Sequence, residues 1–235
     1  MTAAAILAEL QTYGSEQTKK TFMNHGAREP LFGVKVGDLK KIQKRVKKDY
    51  QLALDLYATG NSDAMYLAGL IADDEKMTKK DLQRWAEGAH WHMIAGYTVP
   101  WTAAGSSHGW ELALEWIDSK KPTIAAAGWS TLGCIVSMKN DDELDIPALK
   151  KLLDRVQKTI HEHPNRLGYA MNNFVISVGA YVKPLSAAAI EVGKKIGAIE
   201  CDMGDTSCKV PFAPDYIKKS IARGSLKKKR KTCKC

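Results

Sequence analysis

Apolar residues in this chain recur at three- and four-residue steps along most of its length, and that period commits it to helices. Ile146, Leu149, Leu152, Leu153, Val156 and Ile160 form one such stripe, and Leu39, Ile42 and Val46 a shorter one. Leu112, Ala113, Trp116 and Ile117 make a third. Asp145 with Pro147 reads as a helix cap with proline in the first turn, and Pro122 opens another helix. Thr78 with Asp81 reads as a capping arrangement before Leu82 and Trp85, and Pro184 and Ser186 begin a helix through Ala187, Ile190, Val192 and Ile196. Strand signals are missing: no alternating runs are joined by Asn-Gly or Asp-Gly. The segment TLGCIVSM could pass for a strand by itself, but it continues an Ala-rich run from Ile124, so length favours helix.

The pattern predicts about a dozen helices of roughly 8–17 residues, and pairing them gives a spacing near 35–45 residues. That is the period of HEAT-like or armadillo-like arrays, in which each helical hairpin buries its face on the next. The expected architecture is an all-α solenoid with a concave groove, a single domain over residues 1–223 followed by a basic tail over 224–235. Helix N-termini along such a groove can meet phosphates.

Charge is distributed unevenly. Lys and Arg number 35 against 26 acids, yet residues 218–235 hold nine of the positives and no acid, so the rest of the chain is balanced. The basic character therefore belongs to the C-terminus, where Lys227, Lys228, Lys229 and Arg230 suit a polyanion partner. A hydrophobic fraction of 45% with 26% charged residues excludes disorder as the default. No run approaches the ~18–20 apolar residues of a membrane span, and the N-terminus lacks a basic leader segment and carries Glu9. Five cysteines with wide spacing suit a reducing compartment, so a cytoplasmic protein is expected. Cys201, Cys208, Cys233 and Cys235 match no common zinc module. The pairs His90/His92 and His161/His163 point in different directions on a helix, so no metal site is assigned.

Three stretches go beyond generic helices: LFGVKVGDLKKIQKRVKK (31–48), DAMYLAGLIADDEKMTKKDLQRWAEGAHWHMIAGYTV (63–99) and HGWELALEWIDSKKPTIAAAGWSTLGCIVSM (108–138). In order and spacing they resemble the AlkD-like DNA alkylation repair family, the HEAT-like repeat alkylpurine DNA glycosylases and their relatives, over roughly residues 1–200. The resemblance implies hydrolysis of the N-glycosidic bond of alkylated purines. A cationic base is already a good leaving group, so such an enzyme mainly needs a carboxylate to stabilise an oxocarbenium-like sugar and place water. Aromatic rings then contact sugar or base, and an arginine holds a phosphate.

Carried over residue by residue, one of the family's four functional positions matches. The first groove tryptophan falls on Trp91. The catalytic aspartate falls on Ala95, the phosphate-binding arginine on Ala126, and the second groove tryptophan on Asn173. No Asp or Glu lies between His92 and His108. Loss of one preorganised stabilising group costs about 2.7–4 kcal/mol, so weak or absent base excision is expected.

The polar loop GAIECDMGDTSCKVP (197–211) holds Asp202, Asp205, Cys208 and Lys209 around Gly204. It reads either as a capping loop or, with Asn172 and Asn173, as a replacement polar site in which Asp202 or Asp205 supplies a carboxylate and Lys209 a phosphate contact. Trp85, Trp110 and Trp116 are assigned to the core, while Trp91 and Trp129 are groove candidates able to stack on bases. Lys35, Lys40 and Lys44 belong to a second basic cluster that reads as a solvated face or a phosphate track. The expected protein is a monomer that binds damaged or distorted duplex DNA without a cofactor or membrane. Two alternatives stand beside it: an active alkylpurine glycosylase using Asp202 or Asp205, and a non-catalytic helical scaffold for a protein or RNA.

Overall fold

The computed structural model describes residues 1–163, 165–204 and 208–234. Among these residues it is all-helical, with thirteen α-helices joined by short 3-10 turns and loops and no strand. No single described helix is long and apolar enough to cross a membrane. The chain divides into two compact units: Met1–His108 with Met203, Gly204 and Lys234, and Gly109–Asp202 with Cys208–Cys233. The segment set apart by its charge, 224–235, is therefore not a separate body over its described residues.

The first unit contains α1 (Ala3–Tyr13), α2 (Glu16–Asn24), α3 (Val36–Val46), α4 (Tyr50–Ala58), α5 (Ser62–Ile71), α6 (Lys79–Gly88) and α7 (Val99–Gly105). Its axis is α5, every residue of which is buried. Helices α1, α3, α4 and α7 all contact it. A helix apolar all round must be wrapped on every side. Its start is fixed by Asn61, whose side chain accepts from the backbone N–H of Asp63 and Ala64, both at 3.1 Å. Asp63 then turns outward to the preceding loop and accepts from the N–H groups of Phe32, Gly33 and Val34 at 2.6, 3.1 and 2.9 Å. Burial pushes this carboxyl up, and the three N–H donors pull against that shift. The loop it holds leads directly into α3. Gly33 sits there at φ +76°, where any Cβ would meet the backbone of Ser15 and Lys19.

Thr78 and Asp81 form a reciprocal capping box at α6, as their spacing predicts. Tyr50 Oη donates to the same Asp81 carboxylate at 2.8 Å. Tyr57 stacks on Trp85 at 4.2 Å between centroids and donates its hydroxyl to the Trp85 carbonyl. Between α6 and α7 the chain makes a π-turn, Ile94–Thr98, closed by the Val99 N–H on the Ile94 carbonyl. Pro100 explains it: the ring has no N–H to give and would crowd the carbonyl four residues back, so the turn widens.

The second unit contains α8 (Gly109–Trp116), α9 (Pro122–Met138), α10 (Ile146–Thr159), α11 (Asn165–Tyr181), α12 (Ser186–Ile196) and α13 (Ala213–Ala222). Helices α9 and α11 run against each other through its centre, with α8 on α9 and α10, α12 and α13 on α11. TLGCIVSM lies inside α9, continuing the Ala-rich run from Ile124 as its length predicts, with six of its eight residues buried. The α10 stripe of Leu149, Leu152, Leu153 and Val156 is buried as read, with Asp145 capping the Ala148 N–H at 2.9 Å. Trp129 and Phe174 meet at 5.1 Å at the α9–α11 contact.

Replacing Asp63 by Ala would strand three backbone donors in the interior of the first unit. Asp63→Ala is expected to lower the unfolding free energy by about 3 kcal/mol, at the upper end for unsatisfied buried donors, with Asp63→Asn intermediate. Urea titration followed by circular dichroism measures it, and an unchanged midpoint would show that the Asp63 contacts carry no weight.

Candidate nucleic-acid interface

The position where the resemblance puts a catalytic acid lies in the π-turn of the first unit. Ala95 is 3% exposed there, with Ile94 and Thr98 buried beside it. Trp91 is 5% exposed. Its indole N–H donates to the His25 carbonyl at 3.0 Å, and its ring lies 5.3 Å from Phe22 and 5.6 Å from His92. His90 shares a 3.0 Å hydrogen bond with the Ser62 hydroxyl. In this arrangement Trp91 is an interior ring with its polar edge satisfied. Among the described residues no group of three His, Cys, Asp or Glu side chains is placed to hold a metal.

In the second unit Ala126 and Trp129 are likewise buried on α9, Trp129 at 2% exposure. The Arg155 guanidinium lies 5.7 Å from the Trp129 ring centre and pairs with Asp118 at 2.7 Å. Asn172 is buried and donates to the Pro211 carbonyl at 3.0 Å, while Asn173 is half-buried on the same helix. Asn172 thus anchors the segment leading into α13. Trp85 and Trp116 are core residues as read, and Trp110 packs half-buried at the edge of the second core.

The polar loop separates its candidates. Asp202 is exposed, and its backbone N–H is held at 3.0 Å by Asn165 Oδ1. Lys209 is exposed. Asp205 lies outside the described residues. Gly204 has φ +73° and presses against the Asn24 carbonyl, an approach that only glycine permits.

The basic residues sort into bound and free. On α3, Lys41 pairs with Asp38 at 2.7 Å and Arg45 with Glu9. Lys35, Lys40, Lys44 and Lys47 have no ion-pair partner among the described residues; Lys35, Lys44 and Lys47 are exposed and Lys40 half-buried. Lys40 and Lys44 lie four residues apart on the side of α3 away from the buried Leu39 and Ile42, and Lys47 follows as the C-cap with φ +64°. The C-terminal cluster is split more sharply. Lys229 donates to the Val136 and Tyr181 carbonyls at 3.1 and 2.7 Å and to Asp141 at 2.8 Å. Its ammonium is a structural strut, which corrects the sequence-based grouping of Lys229 with the free cations. Lys234 is held in the same way in the first unit, by the Ala72 carbonyl at 2.9 Å and Asp74 at 2.7 Å. Burial pushes the Lys234 ammonium down and the Asp74 carboxyl up, so neither charge is comfortable without the other. Lys227, Lys228, Arg230 and Lys231 are exposed; Arg230 is fixed through its backbone N–H on the Ser137 carbonyl at 2.8 Å.

Cys233 is buried in the second unit with its thiol 3.4 Å from the Ser137 hydroxyl and in contact with the Cys134 thiol. Sharing of a proton with Cys134, with a hydrogen bond to Ser137, lowers the Cys233 thiol, while the same contact and burial raise Cys134. Periodicity could not have found Cys134–Cys233 or Asp74–Lys234, because each joins positions far apart in the chain.

A helical protein with two buried centres and a surface bearing free cations is the class these features define. The family model described as DNA alkylation repair enzyme matches residues 6–207. The chain belongs to that family, and its fold is that of the HEAT-like repeat proteins related to DNA glycosylases. It is 33% identical to Uncharacterized protein Lin0241 of Listeria innocua over 92% of this chain and 95% of that one. It is 32% identical to Uncharacterized protein Lmo0209 of Listeria monocytogenes over the same shares. A solved structure, described as a new family of proteins related to the HEAT-like repeat DNA glycosylases with affinity for branched DNA structures, superposes with a TM-score of 0.91 at 37% identity, covering 100% of both chains.

Amine acetylation read by mass spectrometry tests the sorting of lysines. Lys227, Lys228 and Lys231 are expected to react first, with Lys229 and Lys234 lagging by about tenfold or more, the factor imposed by a local opening cost of about 1.4 kcal/mol. Equal rates across the five would dismiss the strut assignment.

Proposed function

We propose that this protein binds DNA, recognising branched or distorted duplexes, and that it does not excise alkylated purines by the carboxylate route of its enzymatic relatives. The observation that carries the second half is Ala95. It stands where the resemblance places the catalytic acid, it is buried, and the segment between His92 and His108 has no acid to replace it. A methyl group cannot stabilise a developing sugar cation. Ala126 similarly offers no phosphate clamp. The first half is supported by the full-length likeness to a protein with affinity for branched DNA structures and by the free cations on α3 and after α13. Affinity in this reading comes from phosphate neutralisation, with shape rather than base sequence deciding the target. Asp202 is exposed, without the burial that strengthens a catalytic carboxylate, so the active-glycosylase reading draws no support from it. A cytoplasmic, monomeric protein acting without a cofactor fits this proposal.

Two measurements test it. Titration of a four-way junction against a linear duplex of equal length should show preference for the junction. Each titration should also show a steep dependence on salt. Lys40→Gln with Lys44→Gln should reduce the magnitude of the log–log salt slope by about 2, near 0.9 per phosphate contact removed. Incubation with DNA carrying 7-methylguanine or 3-methyladenine should release base no faster than the spontaneous rate. Release well above that rate would defeat the non-catalytic half, and equal affinity for junction and duplex would defeat the branched-DNA half.

A further inference from the structure

Among the described residues, four large apolar side chains are exposed, and two of them, Met1 and Met23, are flexible methionines. The other two are aromatic and adjacent. Phe212 is 41% exposed at the N-cap of α13, and Tyr216 is 50% exposed one turn later. At a spacing of four residues they share one face, displaced by about 6 Å along the axis. That face is fixed. The opposite side of α13 buries Ala213, Pro214 and Ile217 against α11 and α12. Gly179 and Gly193 supply the close approach there, since a Cβ at either would collide with Ile217 or with Pro214 and Ala213. The helix cannot rotate to hide its rings without losing this contact.

The outward face continues through Lys219 and Arg223, both exposed and without an ion-pair partner among the described residues. Asp215 is the one acid on the helix. Rings left wet beside free cations constrain the partner. A second copy of the same face would oppose like charges. An acidic peptide would use the cations and leave the rings idle. A nucleic-acid strand with unpaired bases uses both, because each base offers a π-face and each link a phosphate. In a closed duplex the base faces are covered by their neighbours, so the rings would gain nothing from it.

We propose that Phe212 and Tyr216, flanked by Lys219 and Arg223, form a stacking surface for unpaired bases, through which the protein engages the single-stranded portions exposed where a DNA branch opens. This rests on the branched-DNA reading above and names a contact surface for it. Stacking on rings tolerates any base, so the surface discriminates by strandedness and not by sequence. It lies on α13, which the alignment of family motifs does not reach.

The test uses the full chain and three labelled probes: an oligothymidine strand, a four-way junction with unpaired nucleotides at its branch, and a fully paired linear duplex. Phe212→Ala with Tyr216→Ala should weaken binding of the oligothymidine about tenfold to a hundredfold. It should weaken binding of the open junction as well and leave duplex binding within about twofold of wild type. Phe212→Tyr with Tyr216→Phe keeps both rings and should retain wild-type affinity. Lys219→Gln with Arg223→Gln should weaken all three probes and flatten their salt dependence. Circular dichroism and thermal midpoints confirm that each variant folds; the mutated rings are on the wet face, so the midpoints should hold. If the double alanine variant binds oligothymidine as tightly as wild type, the stacking surface is overturned while the branched-DNA reading stands. If wild type binds no branched DNA, both fall. If sedimentation shows a concentration-dependent dimer that the double alanine variant abolishes, the surface is a contact between copies and the inference is overturned.

Discussion

Among the described residues, several helices have almost no wet side, and the rest of each unit is arranged to cover them. Helix α5 in the first unit and α9 with α11 in the second are apolar on nearly every face. Removing such surface from water contributes about 25 cal/mol per Å², and no single neighbour can cover a helix all round. The surrounding helices are amphipathic for that reason: α3, α6, α10 and α13 each turn one stripe inward and leave the other face to solvent. Polar chemistry is driven to those outer faces. Of the polar groups that remain inside, the Asp63 carboxylate and the Asn172 amide N–H are tied to backbone groups of neighbouring loops.

This arrangement bears on the proposal that a glycosylase-related frame serves without excision chemistry. At the Ala95 turn, packing has taken the place of charge: the position is apolar, buried and close to a proline-widened helix. Trp91 has its indole N–H satisfied by a backbone carbonyl. In the proposed reading, affinity comes from cations such as Lys40 and Lys44, which have no ion-pair partner among the described residues, and DNA shape does the selecting. The C-terminal segment shows the same economy. Lys229 and Lys234 are used as hydrogen-bond donors that fasten the chain, leaving Lys227, Lys228, Arg230 and Lys231 outward. One run of like charges thus holds two kinds of residue that sequence alone cannot tell apart.

Much of the fold was legible in the sequence because its cause is local. The period of Leu149, Leu152, Leu153 and Val156, the Thr78–Asp81 box and the prolines at 122 and 147 each act within a turn or two, and each forms as read. Trp85 and Trp116 fall in the core on the same grounds. The site was legible only in its losses: the absence of acid after His92 is plain in the letters. Its gains were not. Phe212 and Tyr216 look like ordinary core residues of an amphipathic helix, since four-residue spacing marks a shared face without saying whether that face is wet. The burial of Trp91 likewise depends on Phe22 and His25, some seventy positions earlier in the chain.

The sequence by itself determined the helices, their caps and the segregation of charge, because hydrogen bonding and periodicity within a segment need no distant partner. Tertiary structure decided which side of each helix meets water, which lysines are struts and which are free, and that Cys134 meets Cys233. Those outcomes turn on contacts between residues remote in the chain, and only closing the fold brings such groups together.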